Sequence, residues 1–195
     1  MILDFKKAET LLKEYSIPIL ETTVIKSRKE VKKTSVFPCC LKADGVLHRQ
    51  GNGLIELDIK DRKELLRSFK KIRERHKGDL LIQRMVKGVE IFCGCKRDKT
   101  FGIILMFGLG GIFVEVIKDI QFGIAPLTKK EALEMIKGIK GQRILKGYRG
   151  EEVSVNILGN ILVQLSKLMT DHLEIKSIDL NPIIKEKVID VKIIF

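Results

Sequence analysis

The stretch Arg97–Leu127, RDKTFGIILMFGLGGIFVEVIKDIQFGIAPL, sets a glycine turn between two long apolar runs. Two readings compete for its centre, Phe107-Gly108-Leu109-Gly110-Gly111-Ile112. Glycine admits positive φ and close backbone approach, so amide N–H groups in such a turn can converge on an anion. An ordinary hairpin between strands Ile103–Met106 and Ile112–Val116 accounts for the same pattern. Glu115, Lys118 and Asp119 follow the apolar residues Phe113, Val114 and Val116. That places carboxylates and a cation beside the candidate anion site, a mixture suited to metal-assisted phosphate chemistry.

Downstream, Ser177–Leu180 reads as a strand running into Asn181-Pro182, and Ile183–Lys185 and Val188–Val191 read as a hairpin over Glu186-Lys187. Asn181 and Asp190 then face each other across adjacent strands. Mg²⁺ favours one or two such oxygens together with phosphates and water; a turn asparagine and a surface aspartate explain the same residues without a metal. Asp179 is an alternative ligand, but its alternation with Ile178 and Leu180 favours a strand residue on the other face. Helices are expected over Phe5–Tyr15, Lys129–Ile139 and Asn156–Thr170. Upstream strands are expected at Ile19–Ile25, Val36–Ala43, Leu54–Ile59, Leu80–Met85 and Val89–Lys96. Helices interleaved with mostly antiparallel strands make an α+β pattern. No G-x-G-x-x-G follows a first strand, so a Rossmann domain is not expected.

The composition is that of a globular chain: 195 residues, 45% apolar and 32% charged. No apolar run approaches the roughly 18–20 residues of a membrane span, and charges run through the N-terminus, unlike a secretory signal. A cytoplasmic location is expected. The net charge of +12 invites a nucleic-acid reading. Against it, the basic residues are dispersed and there are two Tyr and no Trp for base stacking. The densest basic run, Arg62–Lys77, carries Leu65, Leu66, Phe69 and Ile72 at helical spacing and reads as an amphipathic helix with a solvated face. Cys39-Cys40 and Cys93-x-Cys95 lack the spacing of zinc pairs and read as small buried hydrophobes. His76 and His172 sit in polar helical contexts without an assigned role.

The run FGLGG-FVEV, followed by Lys118-Asp119 and by Ala125-Pro126-Leu127, resembles the beta-chain signature of ADP-forming acyl-CoA (acetyl-CoA) synthetases, relatives of succinyl-CoA synthetase with an ATP-grasp domain. Further matches fall in the family's order: Leu11–Ile19 (LLKEYSIPI), Leu41-Lys42, His48-Arg49, Gln83-x-Met85 with Gly88-Val89-Glu90, and Arg97-Asp98. Leu145-Lys146-Gly147-x-Arg149-Gly150 and Ile178-Asp179-Leu180-Asn181-Pro182 complete the series.

The resemblance implies an ATP-grasp fold, with two α/β lobes of mostly antiparallel sheet enclosing a nucleotide cleft. An N-terminal helix (residues 1–17) packs on the large lobe, the small lobe spans 18–85 and the large lobe 86–195. It implies ATP/ADP and Mg²⁺ as cofactors, with Asn181 and Asp190 holding the metal. Lys42 is its nucleotide-binding lysine, a compact point charge toward phosphates, although a lysine snorkelling to solvent is the common alternative. Arg49, Gly53 and the glycines Gly108, Gly110 and Gly111 fall to the phosphates, and Gln83, Met85 and Glu90 line the nucleotide pocket. His48 matches a phosphate-carrying histidine that passes a phosphoryl group to ADP, and Glu115 orients it or shapes the phosphate site.

The implied reaction is acyl-CoA + ADP + phosphate to acid + ATP + CoA, completed by a CoA-binding alpha subunit in a hetero-oligomer. Gly51, Leu54, Gly123 and Arg84 depart from the family pattern, and the stretch between Lys42 and His48 is short. A catalytically reduced paralogue in a regulatory or scaffolding role is the alternative.

Overall fold

In a computed structural model, residues 1–46, 49, 51–111, 118–147 and 152–195 are described. Strand Ile112–Val116, His48 and Glu115, as expected above, lie outside them. The chain divides into two compact units, Leu20–Val86 and Met1–Ile19 with Lys87–Phe195.

The first unit is an antiparallel sheet, β1 (Thr22–Ile25), β4 (Leu80–Arg84), β2 (Cys39–Ala43) and β3 (Ile55–Ile59) in spatial order, with helices α2 (Arg28–Val31) and α3 (Arg62–Arg75). Helix α3 starts where the Asp61 carboxylate accepts the Glu64 amide at 2.8 Å. The expected spacing holds: Leu65, Phe69 and Ile72 are buried in one core with Val31, Leu41, Ile59 and Ile82. The exposed positions Lys63, Arg67, Lys70, Lys71, Glu74 and Arg75 carry the charge, and Arg73, one turn on from Phe69, stacks over its ring at 5.2 Å.

The larger unit holds an antiparallel sheet in the order β10 (Val191–Ile194), β8 (Ser177–Ile184), β5 (Ile91–Asp98), β6 (Gly102–Leu109) and β7 (Ile120–Ile124), with β9 (Lys187–Val188) paired to β8. Helices α1 (Phe5–Glu14), α4 (Lys129–Gly138), α5 (Gln142–Leu145) and α6 (Val155–Asp171) complete it. Thr128 and Glu131 form a capping box at the start of α4. Helix α6 buries Leu158, Ile161, Leu162, Leu165 and Leu168. Its C-terminal carbonyls are held by the Arg97 guanidinium, which donates to Met169 and His172, while its Nε reaches the Ile175 carbonyl at 2.9 Å. The chain ends meet: the Phe195 amide donates to the Met1 carbonyl at 3.1 Å, and the Met1 amine donates to the Phe195 carbonyl at 3.3 Å.

Strand β6 pairs with Ile120–Ile124, Met106 standing opposite Phe122. One expectation changes. Asp119 is not a free carboxylate beside a phosphate turn. It is 7% exposed, and its oxygens accept the Lys140 amide at 2.8 Å and the Gly141 amide at 2.7 Å, tying the start of β7 to the turn between α4 and α5.

Removing an acceptor shared by two amides leaves unmet donors. Asp119→Ala is expected to cost about 2–3 kcal/mol, lowering Tm by roughly 5–10 °C in a thermal melt. Asp119→Asn, which keeps one acceptor, falls between the variant and the parent.

Candidate functional site

Strand β8 was expected to stop at Leu180, before Asn181-Pro182. It continues to Ile184 because Pro182 falls where the strand changes partner. Up to Leu180 it pairs with β10 and from Ile183 with β9. The register against β5 shifts between Ile91 and Cys93 on its other side. Asp190 therefore sits in the bend between β9 and β10, not on a hairpin arm. Its carbonyl accepts the Asn181 amide at 3.1 Å, which brings Asn181 and Asp190 together.

Asp179 corrects the sequence reading. Side chains two residues apart share a face of a strand, so Asp179 lies on the Asn181 face, opposite the one that Ile178 and Leu180 bury. Lys192 stands across from it, with Nζ 3.8 Å from Oδ2. Its Oδ1 is buried and has no hydrogen-bond partner among the described residues. Burial pushes the Asp179 carboxyl above the usual carboxylate range; the Lys192 ammonium opposes this and the Asp190 charge adds to it. The signal for Asp179 was present in the period-two pattern, and Lys192 was missed because its register opposite Asp179 is a tertiary fact. No group of three or more His, Cys, Asp and Glu capable of holding a metal occurs among the described residues. Two carboxylates and an amide make a partial ligand set.

The glycine turn comes close to its own chain. The Gly110 amide donates to the Glu90 carbonyl at 2.7 Å. A Cβ on Gly108 would lie 2.6 Å from the Asp119 carbonyl oxygen, and one on Gly111, whose φ is +59°, would lie 2.8 Å from a Glu90 carboxylate oxygen. The turn thus brings Gly110 and Gly111 onto Glu90, itself exposed.

In the smaller unit, Lys42 is 2% exposed and does not snorkel to solvent. Register pairs Cys40 with Gln83 and Lys42 with Leu81, so Lys42 and Gln83 share the sheet face opposite the Leu41 and Ile82 core. The Gln83 amide nitrogen donates to Thr22 Oγ1 at 2.7 Å. Arg49 Nε donates to the Ala43 carbonyl at 2.6 Å, at the end of the lysine strand. Gly53 has φ +63° in the turn before β3. The Met85 amide donates to the Pro38 carbonyl at 2.9 Å. All four cysteines are buried, and none forms a disulfide among the described residues. Burial raises the Cys39 thiol to about 11 and Cys95 to about 12, in keeping with inert hydrophobes. No helix among the described residues is long and apolar enough to cross a membrane.

The ATP-grasp domain family matches residues 1–194. The chain is 39% identical to the beta subunit of the ADP-forming acetate–CoA ligase I of Pyrococcus furiosus, over 91% of this chain and 83% of that protein. It is 36% identical to the ADP-forming acetate–CoA ligase I of Archaeoglobus fulgidus, over 80% of this chain but 24% of that longer protein. The acetyl-coenzyme A synthetase 1 of Ca. Korarchaeum cryptofilum, solved with coenzyme A and Ca-AMPCP, superposes with a TM-score of 0.91 at 31% identity, covering 100% of this chain and 93% of that one. A second structure of it, with Mg-AMPPCP and a phosphohistidine segment pointing towards the nucleotide-binding site, gives a TM-score of 0.84 at 31% identity, covering 99% and 92%. Likeness of this depth over the full length settles the family: the chain belongs to the ATP-grasp domain family and, within it, groups with the beta subunits of ADP-forming acetyl-CoA synthetases.

Proposed function

We propose that this chain is the nucleotide-binding beta subunit of an ADP-forming acyl-CoA synthetase, acting in acyl-CoA + ADP + phosphate to acid + ATP + CoA. The observation that carries the reading is the full-length match to beta subunits of that enzyme class. Leu20–Val86 serves as the small lobe and the remainder as the large lobe. A CoA-binding alpha subunit supplies the acyl chemistry, a division consistent with the longer relative of which this chain matches 24%.

Lys42 neutralises nucleotide phosphate charge, Gln83 and Met85 face the base, and Asn181 and Asp190 hold Mg²⁺ with Asp179 beside them. These residues suit a hard divalent ion: their donors are oxygens, one is buried without a hydrogen bond, and two neighbouring carboxylates repel until a cation lies between them. When bound, the ion neutralises and orients the phosphates. His48 takes a phosphoryl group on a ring nitrogen as the N–P bond to a phosphohistidine of the alpha subunit breaks; the new N–P bond breaks in turn as an ADP oxygen bonds to phosphorus, leaving ATP and neutral imidazole. Glu115 orients that imidazole.

A second reading, a subunit that binds nucleotide without relaying phosphate, draws on the altered position Gly123. A Cβ there would meet Met135 Sδ at 2.6 Å, so the space of the family's arginine is filled by α4.

Calorimetry is expected to show Mg-ATP and Mg-ADP binding to the purified chain. Asp190→Asn should weaken this roughly tenfold, about 1.4 kcal/mol, with little change in EDTA. Acyl-CoA formation should require the alpha subunit, and full activity of the lone chain overturns the reading. Labelled ATP added to the assembled complex should leave acid-labile phosphate that is lost in His48→Asn; a complex carrying none favours the second reading. Because the folded Asp179 carboxyl titrates above its ordinary value, its contribution is most favourable at low pH and is lost as pH rises through the raised value. Without metal, Asp179→Asn should therefore raise Tm slightly near neutral pH and flatten its fall above pH 4, as read by melts across pH.

A further inference from the structure

Among the described residues the two sheet paths end in four strands, β1, β3, β10 and β7, and three of these are shielded. Strand β10 is covered by the N-terminus, where the Leu3 amide donates to the Ile193 carbonyl at 3.0 Å and Ile2 bridges Ile194. Strand β3 carries Glu56 and Asp58, with Asp58 kinked at φ 53°. Strand β1 is four residues long, between Glu21 and Lys26. Charges, kinks and short edges keep strands from pairing with other chains. Strand β7, Ile-Gln-Phe-Gly-Ile, has no charge, and Phe122 is 64% and Ile124 57% exposed.

Backbone direction selects what fits this edge. The Ala125 amide donates to the Ile103 carbonyl at 2.9 Å, so residues 121, 123 and 125 aim their backbone groups at β6. Residues alternate in an antiparallel ladder, which turns the N–H and C=O of Phe122 and Ile124 outward. The Ile120 amide bends onto the Lys118 carbonyl at 3.0 Å, and its carbonyl faces outward with them.

We propose that β7 pairs antiparallel with β7 of a second copy, about a two-fold axis through Phe122. In that register Phe122 exchanges both backbone bonds with Phe122 of the second copy, and the Ile124 amide meets the Ile120 carbonyl, twice by symmetry. Read from either end, the segment is Ile-x-Phe-x-Ile, so apolar side chains meet apolar ones and Gln121 stands opposite Gly123. Lys118, the nearest exposed charge, falls opposite Pro126, beyond the ladder. An isologous contact demands self-complementarity of this kind, and the strand offers no charge by which an unlike partner would be chosen. The join makes one sheet from two.

The test is cross-linking of the purified full chain. Residues in a hydrogen-bonded antiparallel pair have Cα atoms about 5.5 Å apart, within disulfide reach, and the native thiols are buried. Phe122→Cys should oxidise to a covalent dimer of twice the 22.2 kDa chain. Ile124→Cys alone should not, whereas mixing it with Ile120→Cys should. Light scattering should find the parent dimeric and Phe122→Lys monomeric with an unchanged far-UV spectrum and melt. A monomeric parent, a dimer that survives Phe122→Lys, or cross-linking by Ile124→Cys alone as efficient as by Phe122→Cys overturns the proposal.

Discussion

Strand β8 must serve β5 along one side and two different strands along the other, and the change of partner at Asn181-Pro182 is the constraint from which the candidate metal site follows. Were β8 to keep β10 as its neighbour, Asp190 would lie in the ladder rather than in a bend. The exchange leaves Asp179 and Asn181 on one face, with Asp190 beside them and Lys192 across the strand. A carboxylate in such company is poorly solvated and electrostatically crowded, a cost that a globular protein sustains where function requires it. A divalent cation placed there would relieve the crowding.

The glycine turn illustrates how one sequence pattern answers two demands. At Gly108 the neighbouring strand approaches so closely that any side chain would strike a backbone oxygen, and Gly111 takes a left-handed conformation against the Glu90 carboxylate. Both are reasons internal to the chain. They leave the amides of the turn near a cluster of oxygens, and the competition between a simple hairpin and an anion nest is decided by what binds there.

Local rules carried much of the fold. The spacing of Leu65, Phe69 and Ile72 announced α3, and alternation with small thiols announced buried cysteines. The order of short motifs along the chain pointed to the ATP-grasp family. What escaped were facts of partnership. Asp119 looked like a carboxylate of the anion site because its two amide partners lie some twenty residues away. Pro182 looked like a strand end because nothing in sequence reveals a switch from β10 to β9. Asp179 was misassigned for a different reason, since a strand's two-residue repeat already put it on the Asn181 side. The placements of His48 and Glu115 fall outside the described residues, and their roles rest on motif likeness.

The reciprocal bonds between Met1 and Phe195 make the larger unit topologically close to a ring. A peptide bridge between the two ends would span almost no distance, so the backbone can be rewired as a circular permutant, opened instead at the exposed β5–β6 bend around Phe101. Chain order and spatial order are thus separable here: the same ladder of strands is compatible with a different beginning and end.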